Sequence, residues 1–244
     1  MTFGIICAME EEIKELHEAL VDAKTTSIHG LEFYTGTIHD QAVVLVRSGI
    51  GKVEAGLTTA LLITQFNVDL VINSGSAGAL APDLNIGDVV VSTETAYHDA
   101  DARAFGYEYG QLPQQPARFI ASKEWGDKIV AAASETGLTT KQGLIVSGDQ
   151  FLNSPAVIKE IMGYFPDALS GEMEGAAVGQ VAHQFDVPYV VVRAMSDNAD
   201  NNSGVDFDDF IIDAGHRSAQ MLLALLAAPV SYTHLRAHET CADL

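Results

Sequence analysis

FGIICA, Phe3–Ala8, followed at once by MEEEIKELHEALV, Met9–Val21, sets the pattern on which the rest of the chain is built. The first stretch is an unbroken apolar run of strand length, which predicts a strand covered on both faces. In the second, Met9, Ile13, Leu16 and Leu20 recur at helical spacing and predict a helix over Glu10–Val21. A buried strand that passes directly into an amphipathic helix is the unit of an α/β fold.

Outward from that unit the alternation continues. Glu32–Ile38 and Ala42–Ser48 read as antiparallel strands around His39-Asp40, followed by a helix over Lys52–Phe66. Asp69–Asn73 reads as a buried strand ending in the small-residue loop Ser74–Gly78, and Asp88–Thr93 as a further strand. Ala100–Pro116 is rich in aromatics, Gly and Pro and carries little periodicity. Helix Lys123–Thr136, strand Gly143–Ser147 and helix Ala156–Met162 follow. Helix Glu174–Phe185, strand Tyr189–Arg193 and helix Asp208–Ala227 complete the series. This order predicts a three-layer α/β/α domain with a central mixed sheet over residues 1–229, without internal repeat or linker. Residues 230–244 leave the pattern. SYTHLRAHETCADL follows Pro229 and Val230, lacks periodicity, and reads as a non-native or disordered tail resembling a translated adapter.

Composition narrows the partners. The 244 residues hold 33 acids against 13 bases, a net charge of −20. So acidic a chain argues against nucleic acid, an anionic membrane or a polyanionic substrate, but leaves room for an uncharged nucleoside. Cys7 and Cys241 form no disulfide framework and no CxxC pair. The N-terminus does not read as a signal peptide, and Met221–Val230 is too short to span a bilayer, so a cytoplasmic protein is expected. There is no HExxH, no HxxxH and no Cys/His cluster in the domain, so neither a metal nor a cofactor is expected. GxSxG is absent too, which disfavours a serine hydrolase. Gly49-Ile50-Gly51-Lys52 lacks the spacing of a phosphate loop.

Carboxylates near the ends of predicted elements remain as candidates for chemistry, because the crevice of an α/β sheet opens there. Glu10, Glu11 and Glu12 all suit the first turn of a helix. Periodicity turns Glu11 away from the apolar stripe and leaves Glu12 and Glu10 roughly 70° and 90° from its centre, so it leans to Glu12 without excluding Glu10. Glu174 opens a helix and could accept hydrogen bonds from two vicinal hydroxyls, as ribose presents. Asp197 follows Ser196 beyond a strand, with Arg193 near enough in sequence to orient it. Ser76, Ala77 and Gly78 would let a ligand approach the backbone. Phe151 suits stacking on a flat heterocycle or packing in the core, and Met173 suits a soft apolar wall or core filling.

Eight segments, in order and spacing, resemble the bacterial 5′-methylthioadenosine/S-adenosylhomocysteine nucleosidases. They are AMEEEI (Ala8–Ile13), SGIGKV (Ser48–Val53), GSAG (Gly75–Gly78), YHDAD (Tyr97–Asp101), FGYEYGQLP (Phe105–Pro113), GLIVSGDQF (Gly143–Phe151), EMEGAA (Glu172–Ala177) and VVRAMSDNAD (Val191–Asp200). The resemblance runs from Met1 to about Ala228. It implies a nucleoside phosphorylase-like fold and hydrolysis of the N-glycosidic bond of both nucleosides, and of 5′-deoxyadenosine, to adenine and the thioribose or its deoxy counterpart, in methionine salvage. Glu12 would be the base that activates water and Asp197 the acid that protonates adenine N7. Glu174 would hold the ribose hydroxyls, with Met173 and Ser76 along the sugar. Phe151 would stack on adenine and the Leu152 backbone would read its edge, with Ala77 and Gly78 beneath. Ser196 and Arg193 would position Asp197. Met9, Ile50 and Phe207 would close the 5′-alkylthio pocket. Phe105 and Pro113 would reach that pocket in a neighbouring subunit of a homodimer. Leu152 stands where isoleucine is usual; Gly171 also departs from the family pattern and is expected away from the chemistry. Rival readings are a purine nucleoside phosphorylase or another nucleoside hydrolase, and a nucleoside-binding protein without activity.

Overall fold

Strand β1 (Thr2–Cys7) is apolar on both faces because a helical layer covers each of them. Phe3, Ile5 and Cys7 enter one core with α1 (Glu10–Glu18), α3 (Lys123–Glu135) and α6 (Ser203–Ala227). Ile6 enters the opposite core with α2 (Lys52–Phe66) and α5 (Gly175–Gln184). The architecture is the expected three-layer α/β/α arrangement on a mixed sheet. This computed structural model describes residues 1–197 and 203–228, with the backbone alone over 203–209. The tail expected at 230–244 lies outside the described residues.

The remaining strands are β2 (Val21–Ile28), β3 (Leu31–Ile38), β4 (Gln41–Arg47), β5 (Leu70–Ala79), β6 (Val89–Tyr97), β7 (Phe119–Ile120), β8 (Thr140–Ser147), β9 (Ala168–Glu172) and β10 (Tyr189–Asp197). α4 (Pro155–Tyr164) covers a small third core. The ten strands run β10-β6-β8-β9-β5-β1-β4-β3-β2, with β7 on β6 and β10 also paired to β5. Strands β5, β10, β6, β8 and β9 therefore close into a ring, while β1 to β4 extend from it as an open sheet.

β5 is the spine of the molecule. On one edge β10 runs parallel to it from Val71 to Gly78. On the other, β1 pairs with Leu70–Asn73 and β9 pairs only with Gly78 and Ala79. Between those two ladders the strand edge opens, and the cavity described below begins there. The stretch Ser74–Gly78, expected as a loop, is instead buried strand. Its small residues serve close packing: a Cβ on Gly75 would lie 2.4 Å from Arg193 Nη1 and 2.7 Å from Glu12 Oε1.

One other expectation is corrected. The first helix ends at Glu18, because Val21 already belongs to β2 and Asp22 takes a positive φ of 55°. β2 is exposed along nearly its whole length, so no alternation marks it in the sequence. Behind the sheet α6 packs on α1 at Gly215, where an added Cβ would lie 2.4 Å from the carbonyl oxygen of Glu11.

Candidate active site

Glu12 turns inward at the first turn of α1, whereas Glu10 and Glu11 face solvent. Its Oε2 accepts the N–H groups of Ala8 (2.9 Å) and of Met9 (3.0 Å), the latter the N-cap donor that a helix start leaves unpaired. Its Oε1 accepts the Ser76 N–H and the Ser76 hydroxyl, each at 3.0 Å. The second pair ties helix α1 to the open edge of β5 and fixes the carboxylate in one orientation.

Arg193, on β10, is 1% exposed and sits among acids. Its Nη2 donates to Asn73 Oδ1 (2.5 Å), to Glu174 Oε2 (3.2 Å) and, in a shorter bond, to Glu172 Oε2. Its Nη1 donates to the Ser76 carbonyl at 3.3 Å. None of these bonds reaches Asp197; a buried guanidinium is drawn to the buried carboxylates that neutralise it. Glu172 is the residue that sequence reasoning missed. It also accepts the Ser147 hydroxyl and the N–H groups of Glu174 (3.0 Å) and Gly175 (2.8 Å), so it caps α5. The only signal was its place two residues before Glu174 in EMEGAA.

Glu174 Oε1 accepts the Gly51 N–H at 2.8 Å, at the start of α2. Burial pushes its carboxyl up to about 7; Arg193 and the Gly51 N–H oppose the rise, while Glu172 and Glu12 add to it. Burial also raises the Cys7 thiol, with the neighbouring Glu12 charge adding to the effect, and leaves it an inert core group.

Asp197 ends β10 and is buried. The Ser196 hydroxyl lies 2.9 Å from its Oδ2 and 3.4 Å from the Ala77 carbonyl. Ser196 thus links this carboxyl group to β5.

At the far end of the cavity lie Phe151, 45% exposed, and Leu152, which is buried. Their loop is anchored to α2: Asp149 Oδ1 accepts the Lys52 N–H at 2.9 Å, and the Asp149 N–H donates to Asp99 at 2.9 Å. Lys52 Nζ in turn pairs with Asp99 at 2.6 Å. Gly171 was expected away from the chemistry, yet it lines the cavity directly under Leu152. A Cβ there would lie 2.5 Å from Leu152 Cδ1.

One cavity of about 630 Å³ gathers Glu12, Glu174 and Asp197 with Met9, Ile50 and Met173. Ser76, Ala77 and Gly78 form its β5 wall, and Arg193 is the only base among the described residues that line it. Its size suits a nucleoside. Phe105 and Pro113 do not line this chain's cavity and are exposed, Phe105 by 82%. The side chain of Phe207 lies outside the described residues. Among the described residues no group of His, Cys, Asp and Glu could hold a metal ion.

Comparison with known proteins shows what this chain is similar to. The model of the phosphorylase superfamily matches residues 2–227. The 5′-methylthioadenosine/S-adenosylhomocysteine nucleosidase of Shewanella pealeana is 49% identical over 93% of this chain and 99% of its own. That of Staphylococcus aureus is 47% identical over 92% and 98%. Among solved structures, the nucleosidase of S. pneumoniae with the transition-state inhibitor MT-ImmA superposes with a TM-score of 0.90 at 46% identity, covering 93% of this chain and 99% of that one. The nucleosidase of Colwellia psychrerythraea in complex with adenine gives 0.88 at 42%, covering 95% and 98%.

Proposed function

We infer the reaction from one premise: this chain belongs to the phosphorylase superfamily and, within it, to the 5′-methylthioadenosine/S-adenosylhomocysteine nucleosidases. It is an N-glycosyl hydrolase that releases adenine from both nucleosides and leaves the corresponding thioribose, as methionine salvage requires. We extend the substrate range to 5′-deoxyadenosine, which differs only at the 5′ position. Residues 1–229 act as one catalytic domain, placed in the cytoplasm; among the described residues no helix is long and apolar enough to cross a membrane.

The residue roles follow from chemistry. Breaking C1′–N9 leaves the electron pair on the base and positive charge on the ribose. Asp197 gives its proton to N7, so adenine departs neutral. Water attacks C1′ from the other face and Glu12 takes its proton, while its negative charge also steadies the ribosyl cation. Glu174 accepts from the ribose hydroxyls, Phe151 stacks on adenine, and the Leu152 backbone reads the base edge. Met173 and Ser76 flank the sugar. Met9 and Ile50 hold the 5′-thio group.

One observation carries this assignment. Ser76 of β5 binds the Glu12 carboxylate, and the next residue, Ala77, binds Ser196, which holds Asp197. Adjacent residues of a single rigid strand thus set the separation of the acid and the base across one cavity. The test is adenine release by Asp197→Asn and Glu12→Gln, with and without inorganic phosphate. Each substitution is expected to lower kcat by ~10²–10⁴-fold while a non-hydrolysable nucleoside still binds. Wild-type kcat in either variant would remove that residue from the mechanism, and a rate that depends on phosphate would make the enzyme a phosphorylase. Arg193, the one cavity base, has both terminal nitrogens bonded within the protein, which leaves little to hold a phosphate nucleophile.

We also read the active unit as a homodimer. On α2, Val53 is 78% exposed and Leu57 50%; Ile50 beside them is 55% exposed and Phe105 82%. An apolar face bordering the cavity is the kind of surface that a second copy covers.

A further inference from the structure

A second cavity, of about 700 Å³, lies across Ala8, Met9 and Ile50, the residues it shares with the reaction cavity. Its lining is different in kind. It carries the carboxylates of Glu10, Glu11 and Glu32 and a single guanidinium, that of Arg47. The backbone explains why these groups sit beside the 5′ end of the reaction cavity. Cys7 and Arg47 are register partners on β1 and β4, so the segments that leave the sheet beyond them run side by side. One segment carries Met9 and Glu10, the other Arg47 and Ile50. The apolar pair Met9 and Ile50 therefore borders both cavities, and the charged pair Glu10 and Arg47 faces only the second.

The two substrates differ only beyond their sulfur atom. One ends there in a methyl group. The other continues through two methylenes to an α-carbon bearing an ammonium and a carboxylate. We propose that the second cavity is the amino-acid subsite for the longer substrate, with Arg47 taking the α-carboxylate and Glu10 the α-ammonium. This rests on the nucleosidase reading, which sets the sulfur against Met9 and Ile50. The methylenes cross that apolar pair and the zwitterion meets one charge of each sign. Arg47 and Glu10 are ready to be shared: their closest approach is 3.5 Å and their side chains are 56% and 61% exposed. An exposed pair of that kind contributes little on its own, so opening it costs little, and each partner gains an oppositely charged group from the ligand. Glu32 is the poorer choice for the ammonium, because its carboxylate already accepts the Tyr34 hydroxyl at 2.8 Å.

The experiment compares kcat/KM for 5′-methylthioadenosine and S-adenosylhomocysteine in the wild type, Arg47→Ala and Glu10→Gln. In each variant the value for S-adenosylhomocysteine should fall about tenfold relative to that for methylthioadenosine, through KM and with kcat unchanged. A third nucleoside, with a 3-aminopropylthio tail, lacks the carboxylate. It should respond to Glu10→Gln and be indifferent to Arg47→Ala. A substrate ratio that stays at the wild-type value, a parallel loss for both nucleosides, or sensitivity of the aminopropyl substrate to Arg47→Ala overturns the proposal. Failure of the nucleosidase reading shows separately, as no adenine released from either nucleoside by the wild type.

Discussion

In the ribose-binding role proposed for it, Glu174 sets the pH response of binding. Its carboxyl, pushed up to about 7 by burial, accepts hydrogen bonds from both ribose hydroxyls only when ionised. The ionised fraction falls as pH drops through that value, so KM for the nucleoside should rise on the acid side and level off on the alkaline side. Glu174→Gln should raise KM throughout and remove the inflection; a wild-type KM that is flat across this range would contradict the role. Gly75 is a second sensitive residue. Gly75→Ala would press a methyl group into Arg193 Nη1 and Glu12 Oε1, and loss of activity well beyond any fall in Tm is the expected result. At this scale the sequence was informative about residue types and weaker about partners. The helical wheel left Glu10 and Glu12 both open, because periodicity describes a helix face and not what lies opposite it. The bond from Glu12 to Ser76 makes the distinction, across 64 residues of chain. Arg193 illustrates the same limit: Asp197 is near it in sequence, but Glu172 and Glu174 are the acids it pairs with.

Among the elements, the loop Gly148–Leu152 and strand β9 act as one fitted unit. Leu152 occupies the space that any side chain at Gly171 would need. Gly171→Val should therefore displace this loop, proposed to read the base, with overpacking of ~1–3 kcal/mol expected in stability and a rise in KM. Reducing the opposing side chain in the same protein, by Leu152→Ala, should recover part of both, as a double-mutant cycle would show. Independent, additive effects would mean that the two positions do not share the space. Leu152 and Gly171, read separately in the sequence, thus share one space in three dimensions. Strand–helix alternation was legible because β1 and β10 are buried on both faces and read as apolar runs. The central segment Ser74–Gly78 was not, since its Ser and Gly residues carry a turn's composition while packing as strand against Arg193 and Glu12. β2 was invisible because exposure on both faces removes alternation altogether.

For the molecule as a whole, an apolar face sits on a chain of net charge −20. In the dimer proposed above, two copies meeting through Val53, Leu57 and Phe105 would repel one another at long range and attract at contact. Moderate salt should therefore tighten the dimer, and specific activity should fall on dilution as copies separate. Phe105→Ala should lower kcat/KM about tenfold, equivalent to ~1.4 kcal/mol, with the fold intact by circular dichroism. An enzyme whose specific activity is independent of concentration and of Phe105 would be complete as a single copy. The same packing gives the reverse side of the molecule an influence on catalysis. Gly215 of α6 leaves no space above the Glu11 carbonyl, one residue from the proposed base. A methyl group at that site would press on the backbone that carries Glu12 from outside the cavity, so a library randomised at Gly215 would give evolution a remote tuning screw for turnover.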